Sequence, residues 1–496
     1  MPLVIAIDAG TTSVRARALD LDDPHDHHGV WAQRPLTQHF PSPERVEHDA
    51  DEIWRLVVQT VNEVIDRCGT QSVVGLGITN QRETVVAWNR STGRPYGRAI
   101  VWQDRRTASR CDELRARGLE PMIRQRTGLV LDPYFSATKI AWMLEDGGVP
   151  VDADLAVGTV DSWILWNLTA GEVLATEPSN ASRTMLLDLG TRTWDADLLA
   201  LFGVPETALG EVRPSSGRFG VTAPGCGVPG GLAISGIAGD QQAALFGQGC
   251  MRPGMAKNTY GTGSFVLMNV GSELPPTPPG LLTTVAWELP RGAVTYALEG
   301  SVFSSGSAVQ WLRDGLGIIE TADETGPLAQ SVPSSDGVVI VPAFNGLGSP
   351  WWDAYARGTI AGITRGTTRA HLARAVVEAM ALQSHDVLDA MVTASGAALR
   401  ELRVDGGASV MDLLLRLQAD LSGVPVWRPA DLESTSRGAA ALAGLAEGVW
   451  APSDDERQRV GTLFEPSPPP ASPELEALRT MWRRAVERSR HWAVET

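Results

Sequence analysis

The chain has 496 residues, 20% charged, 43% hydrophobic and 6% aromatic, the proportions of a folded protein rather than a disordered or fibrous one. Its 42 Lys plus Arg against 58 Asp plus Glu leave a net charge of −16, which argues against a dedicated binder of nucleic acid or of anionic membranes, because both need a basic footprint. A single core of this size would be unusual, so two large halves are expected, meeting near Gly247–Arg252: 1–249 and 250–496.

The opening MPLVIAIDAG has no basic n-region and reads as a strand, Leu3–Asp8, rather than a signal peptide. A Gly10–Ser13 turn then leads into a second alternating strand, Val14–Leu19, making a hairpin with a polar tip. The cluster His25, His27 and His28 lacks metal-ligand spacing and reads as a solvated turn. Ile53, Val57, Val61, Val64 and Ile65 recur at helical spacing behind a D-x-x-E cap at Asp49–Glu52, so a helix is predicted over 51–67. A strand Val73–Thr79 follows, then Asn80-Gln81-Arg82-Glu83 and a strand Thr84–Trp88. Strands mixed with helices indicate α/β layers.

Further along, Ala233–Gly239 is a short apolar strand ending in Asp240-Gln241, and Met255–Tyr260 leads into Gly261-Thr262-Gly263-Ser264. The Gly-Thr-x-Ser element of Gly10 thus recurs 251 residues later, as an internal duplication with two related domains facing one cleft would require. An alanine-rich helix around Leu372–Met391, a strand Leu402–Val404 running into Asp405-Gly406-Gly407, and a C-terminal helix from about Leu475 complete the pattern. The uncharged stretch Phe219–Gly239 is broken by prolines and glycines, which disqualifies it as a membrane helix, and a cytoplasmic location is expected. Cys68, Cys111, Cys226 and Cys250 are far apart with no CxxC, which disfavours structural zinc and a disulfide framework.

Lys139 and Lys257 are the only lysines, and neither sits in a Walker-type loop, so any nucleotide must be cradled otherwise. Asp8 at a strand end, followed by a Gly-Thr hairpin rich in N–H and hydroxyl groups, suits Mg²⁺-phosphate without lysine; an ordinary turn is the plainer alternative. Asp240 can face a crevice above a sheet, or cap a helix, or both. Arg82 and Glu83 together can hold several hydroxyls, and Trp102 and Tyr134 can supply flat walls, although both ring types are more often core.

At these residues the chain resembles the FGGY carbohydrate kinase family, and within it the branch that phosphorylates glycerol. The matching strings include GITNQRETVVAWNRSTGRP from Gly77, AIVWQDRRT from Ala99, LDPYFSATKIAWML from Leu131, NASRTML from Asn180, GIAGDQQAALFGQ from Gly236 and GMAKNTYGTGSFVLMN from Gly254. The resemblance implies a duplicated actin-like, ribonuclease-H-like ATPase fold with two domains around a central cleft, and ATP-dependent transfer of phosphate to glycerol. It implies that Arg82, Glu83, Tyr134, Asp240 and Gln241 contact the glycerol hydroxyls, with Trp102 and Phe265 against the carbon backbone. Asp240 is the implied general base, and Asp8 with Asp240 the implied Mg²⁺ carboxylates. Thr11, Thr12, Ser13 and Arg15 would lie near the transferred phosphate, Thr262 and Gly263 on the β-phosphate side, and Gly306, Gln310, Gly407 and Met411 at the nucleotide. Glycerol and ATP are the implied small-molecule partners, and a homo-oligomer, dimer or tetramer, is expected.

Some positions depart from the family. Met411 and Asp412 stand where a pair of asparagines is usual, which bears on nucleotide contacts. No arginine between Gly225 and Gly236 matches the loop that binds fructose 1,6-bisphosphate in some bacterial members, and 218–239 contains no histidine to present to a phosphocarrier protein, so both forms of control are expected to be absent. The alternatives are a kinase of another small polyol or ketose, and a non-catalytic glycerol or nucleotide sensor.

Overall fold

The computed structural model describes residues 2–23, 29–452, 460–467 and 472–493; His25, His27 and His28 lie outside them. Two mixed sheets organise the chain. In the first, Leu3–Ala9 pairs antiparallel with Ser13–Leu19, which pairs antiparallel with Trp31–Pro35; on its other side Leu3–Ala9 takes Val73–Asn80 and then Ala233–Gly239 in parallel. In the second, Met255–Tyr260 pairs antiparallel with Ser264–Gly271, which pairs antiparallel with Ala293–Val302, while Glu401–Asp405 and Val426–Pro429 add in parallel. An antiparallel edge strand, Ser216–Val221 in one sheet and Gly461–Phe464 in the other, completes the shared order. The hairpins tipped by Gly10 and Gly261 therefore occupy the same place in two copies of one topology.

Burial explains the sequence of the first strand. A central strand covered on both faces needs a continuous apolar run. Ile5 and Ile7 pack with Ile53, Val57, Val61 and Val64 of helix Ala50–Cys68, while Val4 and Ala6 join Ala439, Ala440 and Ala443 on the opposite face. Asp49 caps the first of these helices, its carboxylate accepting from the amides of Asp51 (2.9 Å) and Glu52 (3.2 Å).

The helix on the opposite face, Ser434–Ala446, comes from the later half of the sequence yet covers the sheet of the earlier half. Backbone meets backbone there: a Cβ on Gly77 would stand 2.2 Å from the Ala439 carbonyl oxygen, and one on Gly438 would stand 1.8 Å from that of Ala243. The glycines are required by this approach, and the two halves are locked together by it.

The architecture sets the loops after Leu3–Ala9, Val73–Asn80 and Ala233–Gly239 side by side, at the carboxyl ends of parallel strands where open α/β sheets bind ligands. Those loops carry Gly10–Thr12, Gln81–Glu83 and Asp240–Gln241. Among the described residues no helix is long and apolar enough to cross a membrane.

Candidate active site

Arg82 is the centre of a buried ion cluster that spans both sheets. Its Nη1 and Nη2 donate to Glu299 Oε2 (2.6 Å) and Oε1 (3.0 Å), a two-pronged pair from the end of one sheet to the middle of the other. Arg183 donates from Nε to Glu83 Oε1 (2.6 Å) and from Nη2 to Glu299 Oε1 (3.0 Å). Burial alone would push the Glu299 carboxyl up, but Arg183 and Arg82 together hold it at about 2. Burial dominates at Glu83, whose pKa is raised despite both arginines.

Asp240 joins this cluster through Arg82 Nε, 3.3 Å from its Oδ1. It keeps 30% of its side chain exposed while Arg82, Arg183, Glu83 and Glu299 keep 2% or less, so it is the acid of the group that faces the cleft. Burial raises its pKa against the opposing pull of Arg82 and Lys257. Asp240 is the first residue of helix Asp240–Gly247, where a carboxylate suits the positive helix end, but the N-cap is Gly239 and no side chain caps the helix, so the capping role expected of Asp240 does not hold while the cleft-facing one does.

The walls of the crevice come from rings. Trp102 packs edge-on to Tyr134 with centroids 5.5 Å apart, and its Nε1 donates to Thr11 Oγ1 (2.9 Å), tying the wall to the first hairpin. Tyr134 is held by Lys139, whose buried ammonium donates to the carbonyls of Pro133, Tyr134 and Phe135. Phe265 is half-buried and pairs with Thr259 and Ser301, on the face of the second sheet that also carries Lys257 and Glu299.

Two brackets fix the loops. Gln81 Nε2 donates to the Gly10 carbonyl (3.0 Å) while its backbone N–H donates to Ala9 O. Glu177, wholly buried, accepts from Ser179 N, Ser179 Oγ, Asn180 N and Ser215 Oγ; Ser179 Oγ in turn accepts from Gly239 N (2.9 Å), directly before Asp240. Asn180 and Asn80 exchange a reciprocal amide pair.

At the first hairpin Asp8 stands opposite Arg15 in register, and burial pushes its carboxyl up to about 6, with the Arg15 charge lowering it and the Asp240 charge raising it. Arg15 itself is engaged by Gln33 and Glu433, and Gln33 Nε2 donates to Ser13 Oγ (2.9 Å).

The second half holds a cavity of about 720 Å³. Thr262, Gly306, Gln310, Gly407 and Met411 line it, together with Arg313, Pro327 and Gln330, which sequence reasoning did not single out. The hairpin tip beneath it is fastened by Ser305 N and Ser307 N to Thr262 O and by Gly306 N to Gly261 O. A Cβ on Gly263 would fall 2.4 Å from Val302 O, so this turn admits glycine alone. Val410, Met411 and Asp412 form that corner of the wall, with the Asp412 carboxylate accepting from Arg428 (2.9 Å).

The structure thus brings Arg82, Glu83, Trp102, Tyr134 and Asp240 into one cluster, places Gln241 beside it, and sets Thr262, Gly306, Gln310, Gly407 and Met411 around a separate cavity. Thr11, Thr12, Ser13 and Arg15 form the hairpin on the first sheet, outside that cavity. Arg183 and Glu299 were missed as site residues; their one signal is a lone charge within a strongly apolar or small-residue stretch, Ala293–Val302 for Glu299.

Comparison with known proteins places this geometry. Residues 3–247 match the N-terminal domain model, and residues 256–447 the C-terminal domain model, of the FGGY family of carbohydrate kinases. The chain is 51% identical over 500 residues to the glycerol kinase of Carboxydothermus hydrogenoformans, covering 99% of each, and 52% identical over 503 residues to that of Bordetella parapertussis, covering 99% of this chain and 97% of the relative. Among solved structures, Plasmodium falciparum glycerol kinase with ADP superposes with a TM-score of 0.92 at 32% identity, over 99% of this chain and 98% of that one. A gluconate kinase from Lactobacillus acidophilus, TM-score 0.85 at 20% identity over 97% of each chain, shares the fold. With two domain models matched in series and half of all residues shared with relatives of the same length, the chain belongs to the FGGY family of carbohydrate kinases.

Proposed function

We propose that the chain transfers the terminal phosphate of ATP to glycerol, giving sn-glycerol 3-phosphate and ADP, with Asp240 as general base. The observation that carries the reading is the position of Asp240: an acid that reaches the cleft, oriented by Arg82 at 3.3 Å and backed by a cluster that is otherwise buried. The full-length identity to glycerol kinases supports glycerol as the acceptor.

Phosphoryl transfer depends on positioning and on electrostatic stabilisation. In this reading Arg82 and Glu83 bind acceptor hydroxyls, Trp102, Tyr134 and Phe265 exclude water, and Asp240 takes the proton of the attacking hydroxyl as the oxygen–phosphorus bond forms. The nucleotide occupies the cavity above Thr262, with its phosphates directed between the hairpins of Gly10 and Gly261. Burial raises the pKa of Asp8 and of Asp240 despite Arg15 beside one and Arg82 and Lys257 beside the other, so a cation would stabilise their ionised forms, which suits a Mg²⁺ held by one or two acids plus substrate phosphates. Bound there, Mg²⁺ would neutralise charge on the phosphate oxygens.

The test is coupled ADP release with MgATP and glycerol, dihydroxyacetone, erythritol, xylulose or no acceptor. Turnover with glycerol well above the others supports the reading; equal or greater turnover with xylulose or erythritol refutes it. A pH profile follows from the same geometry. Asp8 and Asp240 work ionised and both have raised pKa values, so activity is lost on the acid side. In the free enzyme kcat/KM should fall as pH drops through about 6, the value for Asp8. An acid limb displaced to the ordinary carboxylate range would contradict it.

A further inference from the structure

Lys257 is one of two lysines in the chain and lies within strand Met255–Tyr260, fully buried. A buried ammonium is costly unless its donors are used. Here Nζ donates to Thr259 Oγ1 (2.9 Å) on its own strand and to Gln241 Oε1 on the other half of the molecule. Register places it on the same face as Glu299, since Lys257 pairs with Leu267 and Leu267 with Glu299. Burial pulls its pKa down to about 8; Asp405 and Asp240 face it and favour its charge, as does Glu299, while Arg82 opposes it. The lysine therefore reaches from the second sheet to the helix turn that begins with the proposed base.

We propose that Lys257 is a positioning residue for the acceptor: by binding Gln241 Oε1 it fixes that amide so that its NH₂ end is presented to a substrate hydroxyl. This deepens the glycerol kinase reading and rests on it. The chemistry is one-sided, because an ammonium has only donors and can engage only the oxygen end of the amide. A hydroxyl that gives its proton to Asp240 spends one lone pair on phosphorus and has the other left to accept from a donor. Gln241 follows Asp240 directly, and its backbone N–H already donates to Asp240 Oδ1 (2.7 Å), so base and amide form one unit. Without Lys257 the amide can turn over, and the donor is lost for part of the time.

The experiment is a double-mutant cycle on the full chain with Lys257→Met, Gln241→Ala and the pair, measuring KM and kcat for glycerol and KM for ATP, with wild type alongside. Lys257→Met is expected to raise KM for glycerol by about tenfold, the loss of one oriented hydrogen bond, and to leave KM for ATP within about twofold. In the Gln241→Ala background it should add little, because the two act through one contact. If Lys257→Met fails to fold by circular dichroism, Lys257→Gln, whose amide can offer either end, takes its place with the same expectation. An unchanged KM for glycerol, or losses that multiply in the double variant, would overturn the proposal while leaving the kinase reading intact. No glycerol-dependent ADP release from wild type would overturn both.

Discussion

Replacing Asp240 by asparagine is expected to lower kcat by about 10²–10⁴-fold, the usual contribution of a general base, while leaving the KM for ATP little changed. Asparagine keeps the shape of the side chain and can still accept from Arg82, but it cannot take the proton of the attacking hydroxyl. At about 1.4 kcal/mol per tenfold, the loss corresponds to roughly 3–5 kcal/mol of transition-state stabilisation. Nucleotide binding should be spared because every residue lining the 720 Å³ cavity lies between Tyr260 and Asp412, whereas Asp240 is held outside that lining by Arg82 and the Gln241 amide. Steady-state kinetics with both substrates varied, and calorimetry with a non-hydrolysable ATP analogue, check the two halves of the statement. Equal losses in kcat and in nucleotide affinity would mean that Asp240 acts mainly by shaping the site.

Glu299→Gln is expected to destabilise the fold by about 3–5 kcal/mol, the cost of breaking a buried ion pair from one side, and to raise the KM for glycerol. The carboxylate receives three guanidinium bonds, two from Arg82 and one from Arg183, and all three side chains are out of water. An amide can accept through its oxygen only; its NH₂ would face donors. Arg183 would keep Glu83 and Arg82 would keep Asp240, but both would share one neutral acceptor in place of a carboxylate, and Arg82, which orients Asp240, would be free to shift. The pH dependence gives a second readout. With its pKa lowered to about 2 from an ordinary 4.5, Glu299 contributes stability that is fully present above about pH 4.5 and is lost as pH falls toward 2. Urea unfolding of wild type and variant from pH 7 to pH 3 should show the difference shrinking on the acid side. A constant difference would assign the effect to packing.

The parts of this molecule that were legible in its sequence were those fixed by local chemistry. The Asp49 cap and the apolar spacing from Ile53 to Ile65 predict helix Ala50–Cys68 to within a residue at each end. Strand Ala233–Gly239, a short apolar run, and strand Met255–Tyr260 both end in polar turns, and they lie where expected. The duplication was visible because the same Gly-Thr-x-Ser string stands at the tip of both hairpins. Legibility failed where the partner is distant in sequence. Helix Ser434–Ala446 is built of alanine and glycine, which specify closeness but not to what; only the three-dimensional structure shows Gly438 against Ala243 and Ala439 against Gly77. Glu299 reads as one acid in an apolar strand, and nothing local says that Arg82 and Arg183, more than a hundred residues earlier, neutralise it. Met411 and Asp412, the two departures from the family pattern, both stand on the cavity wall, Asp412 paired with Arg428.

Phosphorus NMR of the complete reaction tests the central claim most directly. Incubated with MgATP and glycerol, the chain should convert the γ-phosphate into a glycerol monoester in amounts equal to the ADP released, with little inorganic phosphate. ADP accompanied by inorganic phosphate alone, or ATP left intact while glycerol still binds, would contradict the account.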